Sequence, residues 1–267
     1  MIRPKKHLGQ HFLKDQNIAR KIVRYLSKDT QNLIEIGPGT GVLSQHLEAL
    51  QIPHYCMIEI DMESVIVLKQ KFPELSDYII SGDFLKYDLS RVFTSNFSVI
   101  GNFPYNISSQ ILFRILDYRS QVEEVVGMFQ KEVAERICAP AGSKKYGILS
   151  VLLQAFYQIE FLFTVSEKVF YPEPKVKSAV IRLTRNQTQK LNCDESLFFS
   201  LVKSAFNQRR KTLRNALGKY EFVNNPDLDF FLSKRAEQLR VDDFIFLTKQ
   251  VIKPAKDNIF AGNSEFY

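Results

Sequence analysis

Leu33-Ile34-Glu35-Ile36-Gly37-Pro38-Gly39-Thr40-Gly41 is an apolar run that stops on three glycines spaced G-x-G-x-G and gives way to a helical pattern over residues 42–50. The glycines let the chain turn tightly and let a ligand approach the backbone closely. The spacing is not G-x-G-x-x-G, so a pyrophosphate-binding turn is disfavoured; nucleotides, flavins and other adenosine-containing ligands all use strand–glycine–helix turns. What this stretch settles is the local order: strand, turn, helix.

The same order repeats downstream. Strand-like runs lie at residues 33–36, 55–60, 78–80, 97–100 and 122–129, with helical patterns at 42–50, 62–71, 107–118 and 131–138 between or after them. Such alternation predicts an α/β fold with a mainly parallel sheet and helices on both faces. A further helix over 147–157 leads to two β-rich runs, 159–165 and 176–184, joined only by a loop. They are expected to form an antiparallel hairpin at the sheet edge. Residues 185–194 are polar and aperiodic, and a domain boundary is placed there, giving a first domain over 1–185 and a second over 186–267. From 195 to 252 the periodicity is helical throughout, which predicts a small all-α domain. The stretch after Pro254 is expected to be loosely ordered.

The chain has 267 residues, a net charge of +7 and three cysteines, Cys56, Cys138 and Cys193. These sit far apart without a CxxC pair or a histidine at ligand spacing, so reduced thiols and no metal site are expected. No apolar run approaches a membrane span and the start lacks a signal-peptide core, so a cytoplasmic protein without membrane association is expected. Nothing advertises an oligomer interface, and a monomer is expected. The charge is clustered. Residues 1–28 carry Arg3, Lys5, Lys6, Lys14, Arg20, Lys21, Arg24 and Lys28 against Asp15; residues 202–219 carry Lys203, Arg209, Arg210, Lys211, Arg214 and Lys219 without an acid. Two clusters of this density are the footprint of a polyanionic partner.

Each early strand ends on a polar group suited to a ligand. Glu59 ends the second strand, where a carboxylate can accept both hydroxyls of a ribose. Asp83 closes the third, where it can accept from an adenine amino group. The fourth runs into Gly101-Asn102-Phe103-Pro104-Tyr105-Asn106-Ile107-Ser108-Ser109. Asn and Pro are ordinary turn residues, yet Asn-x-Pro-Tyr also supplies oxygens to accept an exocyclic amine and an aromatic face to stack its ring. The order is then glycine loop, ribose acid, adenine acid, amine clamp, which matches amino-group methyltransferases that use S-adenosylmethionine.

From Pro4 to about Val251 the chain resembles the small-subunit ribosomal RNA adenine N6,N6-dimethyltransferases. Besides the two stretches above, the resemblance is carried by Lys6-His7-Leu8-Gly9-Gln10-His11-Phe12-Leu13, by Phe170-Tyr171-Pro172-Glu173-Pro174-Lys175-Val176-Lys177-Ser178 and by Phe206-Asn207-Gln208-Arg209-Arg210-Lys211-Thr212-Leu213-Arg214-Asn215. It implies a Rossmann-like class I fold with a small helical domain, and dimethylation of two adjacent adenosines near the 3′ end of 16S rRNA in the immature small ribosomal subunit. It further implies that His11 and Leu13 cap S-adenosylmethionine, with Gly37, Gly39, Glu59, Asp83 and Asn102 completing its pocket. The family usually has Asn where this chain has His11, and Leu or Ile where it has Phe103. Asn102 and the Phe103 carbonyl would accept the adenine N–H bonds within the Asn102-Phe103-Pro104-Tyr105 turn, and Tyr105 and Phe170 would sandwich the base. Arg3, Lys5, Lys6, Arg209, Arg210, Lys211 and Arg214 are the candidates for RNA phosphates. Two other readings stand beside this one: a 23S rRNA adenine methyltransferase of the erythromycin-resistance type, and a ribosome-assembly or transcription factor that kept the fold without catalysis.

Overall fold

The computed structural model describes residues 2–253; the stretch after Pro254, expected to be loosely ordered, lies outside the described residues. The chain divides into two compact units, Met1–Ala134 with Ile159–Arg185, and Glu135–Gln158 with Asn186–Tyr267.

The elements follow in chain order as β1 (Phe12–Leu13), α1 (Gln16–Val23), β2 (Asn32–Ile36), α2 (Ser44–Glu48), β3 (His54–Glu59), α3 (Met62–Lys71), β4 (Ile79–Ser81), β5 (Phe97–Asn102), α4 (Ser108–Asp117), β6 (Val122–Gln130), α5 (Lys131–Cys138), α6 (Ile148–Gln154), β7 (Tyr157–Val165), β8 (Phe170–Tyr171) and β9 (Ser178–Arg185). The main sheet of the first unit runs β4-β3-β2-β5-β6-β9-β7. Its first five strands are parallel and β9 is antiparallel to β6. The expected hairpin is present, with its second strand set inside the sheet and its first at the edge. β2 and β5 read as near-continuous buried runs, which is how a strand covered on both faces must read. α1 buries Ala19, Ile22 and Val23, and its first turn is capped by the Asp15 carboxylate, which accepts from the amides of Asn17 and Ile18.

In register, Ile34 lies beside Val99 and Glu35 beside Ile100, while Gly101 lies beside Gly127 on β6. The Phe103 ring packs over both glycines. A Cβ on Gly101 would stand 2.6 Å from it, and one on Gly127 2.5 Å. The ring is 1% exposed and meets Phe129 edge-on at 5.0 Å between centroids.

A second small sheet pairs β1 with β8, antiparallel, with Leu13 opposite Phe170 and Phe12 opposite Tyr171. Strand side chains alternate in direction. One face of this ribbon therefore carries buried Leu13 and Phe170, and the other carries Phe12 with Tyr171, which is exposed.

The second unit contains α7 (Glu195–Asn207), α8 (Leu213–Ala216), β10 (Glu221–Phe222), α9 (Leu228–Leu232), α10 (Val241–Lys249) and β11 (Val251–Lys253). Among the described residues after Asn186 the elements are helical apart from the short antiparallel β10–β11 pair. The boundary differs from the one expected at residue 185. α6 packs on α7 and α10, burying Val151, Leu152 and Leu153, so residues 135–158 group with the C-terminal helices although residues 159–185 that follow them belong to the first unit. The basic run after Asn207 is a turn between α7 and α8 rather than part of a helix, closed by the Lys211 amide donating to the Gln208 carbonyl at 2.8 Å.

Candidate functional site

The chain leaves β2 for β3 and β4 on one side, then crosses to β5 and β6 on the other. Strand order reverses between β2 and β5, and the carboxyl ends of strands at such a point open a crevice. Both diagnostic stretches end there.

Beyond β2 the glycine turn is held from below. The Gly37 amide donates to the Ile58 carbonyl, 2.9 Å, and the Gly39 amide to Glu59 Oε2, also 2.9 Å. Gly37 has φ +62°, and a Cβ there would meet nothing within 4 Å. The missing side chain leaves space on the cavity side, as close approach of a ligand requires. Glu59 is 3% exposed and also accepts from the Asp61 amide at 2.8 Å. Burial pushes its carboxyl up, opposed by those amide hydrogen bonds. Asp83 closes its own turn by accepting from the Leu85 amide at 3.0 Å and also lines the cavity.

Residues 8–12 roof the crevice and are latched on two sides. On one, Asp61 accepts from Lys5 Nζ at 2.5 Å and from Gln10 Nε2 at 3.2 Å. Burial works against the Asp61 charge, but Lys5, Gln10 and Ser64 hold its carboxyl below the usual range. On the other side, the Gly9 backbone lies against the Asn106 side chain. A Cβ on Gly9 would stand 2.3 Å from Asn106 Oδ1.

The end of β5 and the turn after it carry Asn102, Phe103 and Tyr105. Asn102 Nδ2 donates to the His11 carbonyl at 2.9 Å. That bond uses the amine end of the amide and leaves Oδ1 as the acceptor. The Phe103 amide is tied to the Met128 carbonyl, and among the described residues none donates to the Phe103 carbonyl. Two acceptors are thus held by the fold within one turn. The Tyr105 hydroxyl bonds buried Ser178 Oγ at 2.5 Å, which fixes the ring, and burial raises its ionisation above the ordinary range.

His11, Gly37, Gly39, Glu59, Asp83, Asn102, Phe103, Pro104 and Tyr105 line one cavity. Leu13 does not. It borders a small adjoining hollow under the glycine turn with its side chain in the core. The His11 imidazole turns from the cavity floor to stack on Tyr105, 5.2 Å between centroids, with Nδ1 against the Pro172 carbonyl at 2.7 Å. Phe170 is 1% exposed within the hydrophobic core, so the expected aromatic face opposite Tyr105 is absent at that position. The β1–β8 register turns Phe170 inward and Tyr171 outward. Sequence reasoning also missed Ser178, the pin for Tyr105, and Asp61, the anchor of the roof. Ser178 ends a run the sequence singled out; Asp61 carries only the signal of an acid at a strand end.

Of the basic candidates, Arg3 and Lys6 are exposed, whereas Lys5 is spent on Asp61 and Glu63. In the second unit Arg210 and Lys211 are exposed. Arg209 reaches the Lys144 carbonyl and Glu237, and Arg214 pairs with exposed Asp229 at 2.8 Å.

A parallel sheet with an antiparallel hairpin, a glycine turn and acids after successive strands, and an Asn-Phe-Pro-Tyr turn at the switch point define a class I methyltransferase. The family model for ribosomal RNA adenine dimethylase matches residues 1–251, and the chain belongs to that family. It is 57% identical over 253 residues to ribosomal RNA small subunit methyltransferase A of Cytophaga hutchinsonii, covering 94% of this chain and 98% of the relative. Among solved structures it is similar to a dimethyladenosine transferase from Plasmodium falciparum, with TM-score 0.73 and 26% identity over 89% of this chain and 96% of that one. The 23S rRNA methyltransferase ErmE shares the fold, with TM-score 0.65 and 24% identity over 90% of this chain and 100% of that one. Among the described residues no helix is long and apolar enough to cross a membrane, and no group of His, Cys, Asp and Glu is placed to hold a metal.

Proposed function

We propose that the protein transfers methyl groups from S-adenosylmethionine to the N6 amino groups of two adjacent adenosines near the 3′ end of 16S rRNA, acting on the immature small ribosomal subunit. The observation that carries this reading is the orientation of Asn102, whose amine end is consumed by the His11 carbonyl so that Oδ1 and the Phe103 carbonyl both present acceptors. The 57% identity to a small-subunit enzyme favours 16S over 23S rRNA.

The cavity suits the cofactor: space above Gly37, a buried carboxylate at Glu59 for ribose hydroxyls and a second carboxylate at Asp83 for an adenine amine. When bound, S-adenosylmethionine supplies an electrophilic sulfonium methyl. The chain's own groups do the rest. An adenine amine is a poor nucleophile because its lone pair is delocalised into the ring. Asn102 Oδ1 and the Phe103 carbonyl each accept one N–H, drawing the nitrogen toward tetrahedral geometry and aiming the lone pair at the methyl. Tyr105, pinned by Ser178, holds the plane of a base that has left its stack. Catalysis is orientation plus preorganised dipoles. The N–CH3 bond forms as the S–CH3 bond breaks, and the surplus N6 proton passes to water. The second transfer proceeds with one N–H fewer, so one acceptor then faces the first methyl. Methylation of purified immature small subunits against protein-free 23S RNA tests the assignment. Dimethyladenosine in 16S rRNA alone is expected; label entering only 23S RNA would overturn it.

A further inference from the structure

Beside the cavity lies a second cleft of about 630 Å³, entirely within the first unit. The two share Gly9, Gln10, His11 and Tyr105 as walls, and the His11 ring, stacked on Tyr105 and bonded to the Pro172 carbonyl, is the partition between them. Tyr171 lies on the far side, 55% exposed, on the same face of the β1–β8 ribbon as Phe12, which borders the first cavity. Exposed Lys6 and Lys175 stand on its rim with one acid, Glu173. An exposed aromatic sharing a cleft with two cations, one partition away from the proposed amine clamp, has the chemistry of a nucleotide seat: a face for the base and charge for the phosphates.

We propose that this cleft holds the nucleotide next to the target adenosine, its base stacked on Tyr171 and its phosphates facing Lys6 and Lys175. The inference rests on the reading of the substrate as adjacent adenosines in RNA. It gives Tyr171 the part that the sequence assigned to Phe170, but one nucleotide along the strand. Strand polarity puts only one of a reacting adenosine's two neighbours in this cleft, so the companion adenosine occupies the Tyr171 seat during one of the two transfers.

The test compares wild type, Tyr171→Ala and Tyr171→Phe on immature small subunits carrying either adenosine or an abasic ribose beside a single target adenosine. Stacking on one aromatic is worth about 1–3 kcal/mol, or roughly 5- to 150-fold. Tyr171→Ala should raise KM for the particle within that range, leave S-adenosylmethionine affinity unchanged, and show no further loss on the abasic particle. Wild type should lose a similar factor on the abasic particle, and Tyr171→Phe should keep wild-type KM. Wild-type KM in Tyr171→Ala, or additive losses from Tyr171→Ala and the abasic site, would overturn the proposal. Wild type failing to methylate the intact particle would instead overturn the underlying reading of the substrate.

Discussion

Gly127 is buried beneath the Phe103 ring and does not line the cavity, yet replacing it with alanine should cripple transfer. The added Cβ would stand 2.5 Å from the Phe103 ring and 2.6 Å from the Phe129 ring. Restoring ordinary packing at 3.4 Å moves the Phe103 ring edge by about 0.9 Å. The ring has little room to retreat, because Gly101 lies under its other edge and Phe129 meets it side-on. Overpacking of this kind costs about 1–3 kcal/mol of stability. Part of the displacement must pass to the Phe103 backbone, whose carbonyl is one of the two proposed acceptors. A shift approaching 1 Å at a reacting centre costs on the order of 100-fold. The assay is kcat for methylation of immature small subunits, with S-adenosylmethionine affinity by calorimetry and Tm as controls. Gly127→Ala should lower kcat sharply and cofactor affinity little, and adding Phe103→Leu, which removes the Phe103 Cε contact but leaves the one with Phe129, should restore part of the loss. Wild-type kcat in Gly127→Ala, or no recovery in the double variant, would refute the reasoning.

Three further outcomes follow from the same geometry. Glu35 is buried beside Tyr55 and Ser44, and burial pushes its carboxyl from 4.5 up to about 7, against the hydrogen bonds from those two residues. A carboxyl raised on folding contributes stability that is complete below its unfolded value and lost as pH rises through the folded one. Stability on the order of 3 kcal/mol should therefore fade between pH 4.5 and 7. Tm of Glu35→Gln should lack that decline, and parallel pH profiles for the two proteins would exclude the mechanism. Charge reversal at Arg210 and Lys211 should weaken RNA binding and flatten its salt dependence by about 0.7 in log–log slope for each phosphate no longer neutralised; an unchanged slope would remove the turn from the RNA interface. Lys5→Met should do the opposite, loosening the roof and weakening S-adenosylmethionine binding measured by calorimetry, with the RNA salt slope intact.

The strand–helix alternation and the acids after successive strands were legible because parallel strands covered on both faces must be apolar and must end where ligands bind. The position of Asn102 and Tyr105 at the end of a strand was legible for the same reason. Facing was harder. Phe170 and Tyr171 are adjacent aromatics, and only the pairing of Leu13 with Phe170 decides which one enters the core; a one-residue slip exchanges the two faces. Lys5 looked like its neighbours in a basic cluster, and its pairing with Asp61 spans 56 positions, beyond any local pattern. α6 lies between stretches of the first unit in sequence but packs on α7 and α10, which no periodicity records. The two glycines beneath Phe103 sit on different strands and acquire meaning only in register.

The most direct test of the amine clamp is transfer by Asn102→Ala on immature small subunits, read as dimethyladenosine in 16S rRNA beside S-adenosylmethionine affinity by calorimetry. Loss of one preorganised acceptor should lower kcat by about 100- to 1,000-fold, while cofactor affinity falls only moderately because Glu59, Asp83 and the glycine turn remain. Full dimethylation by Asn102→Ala would contradict the account.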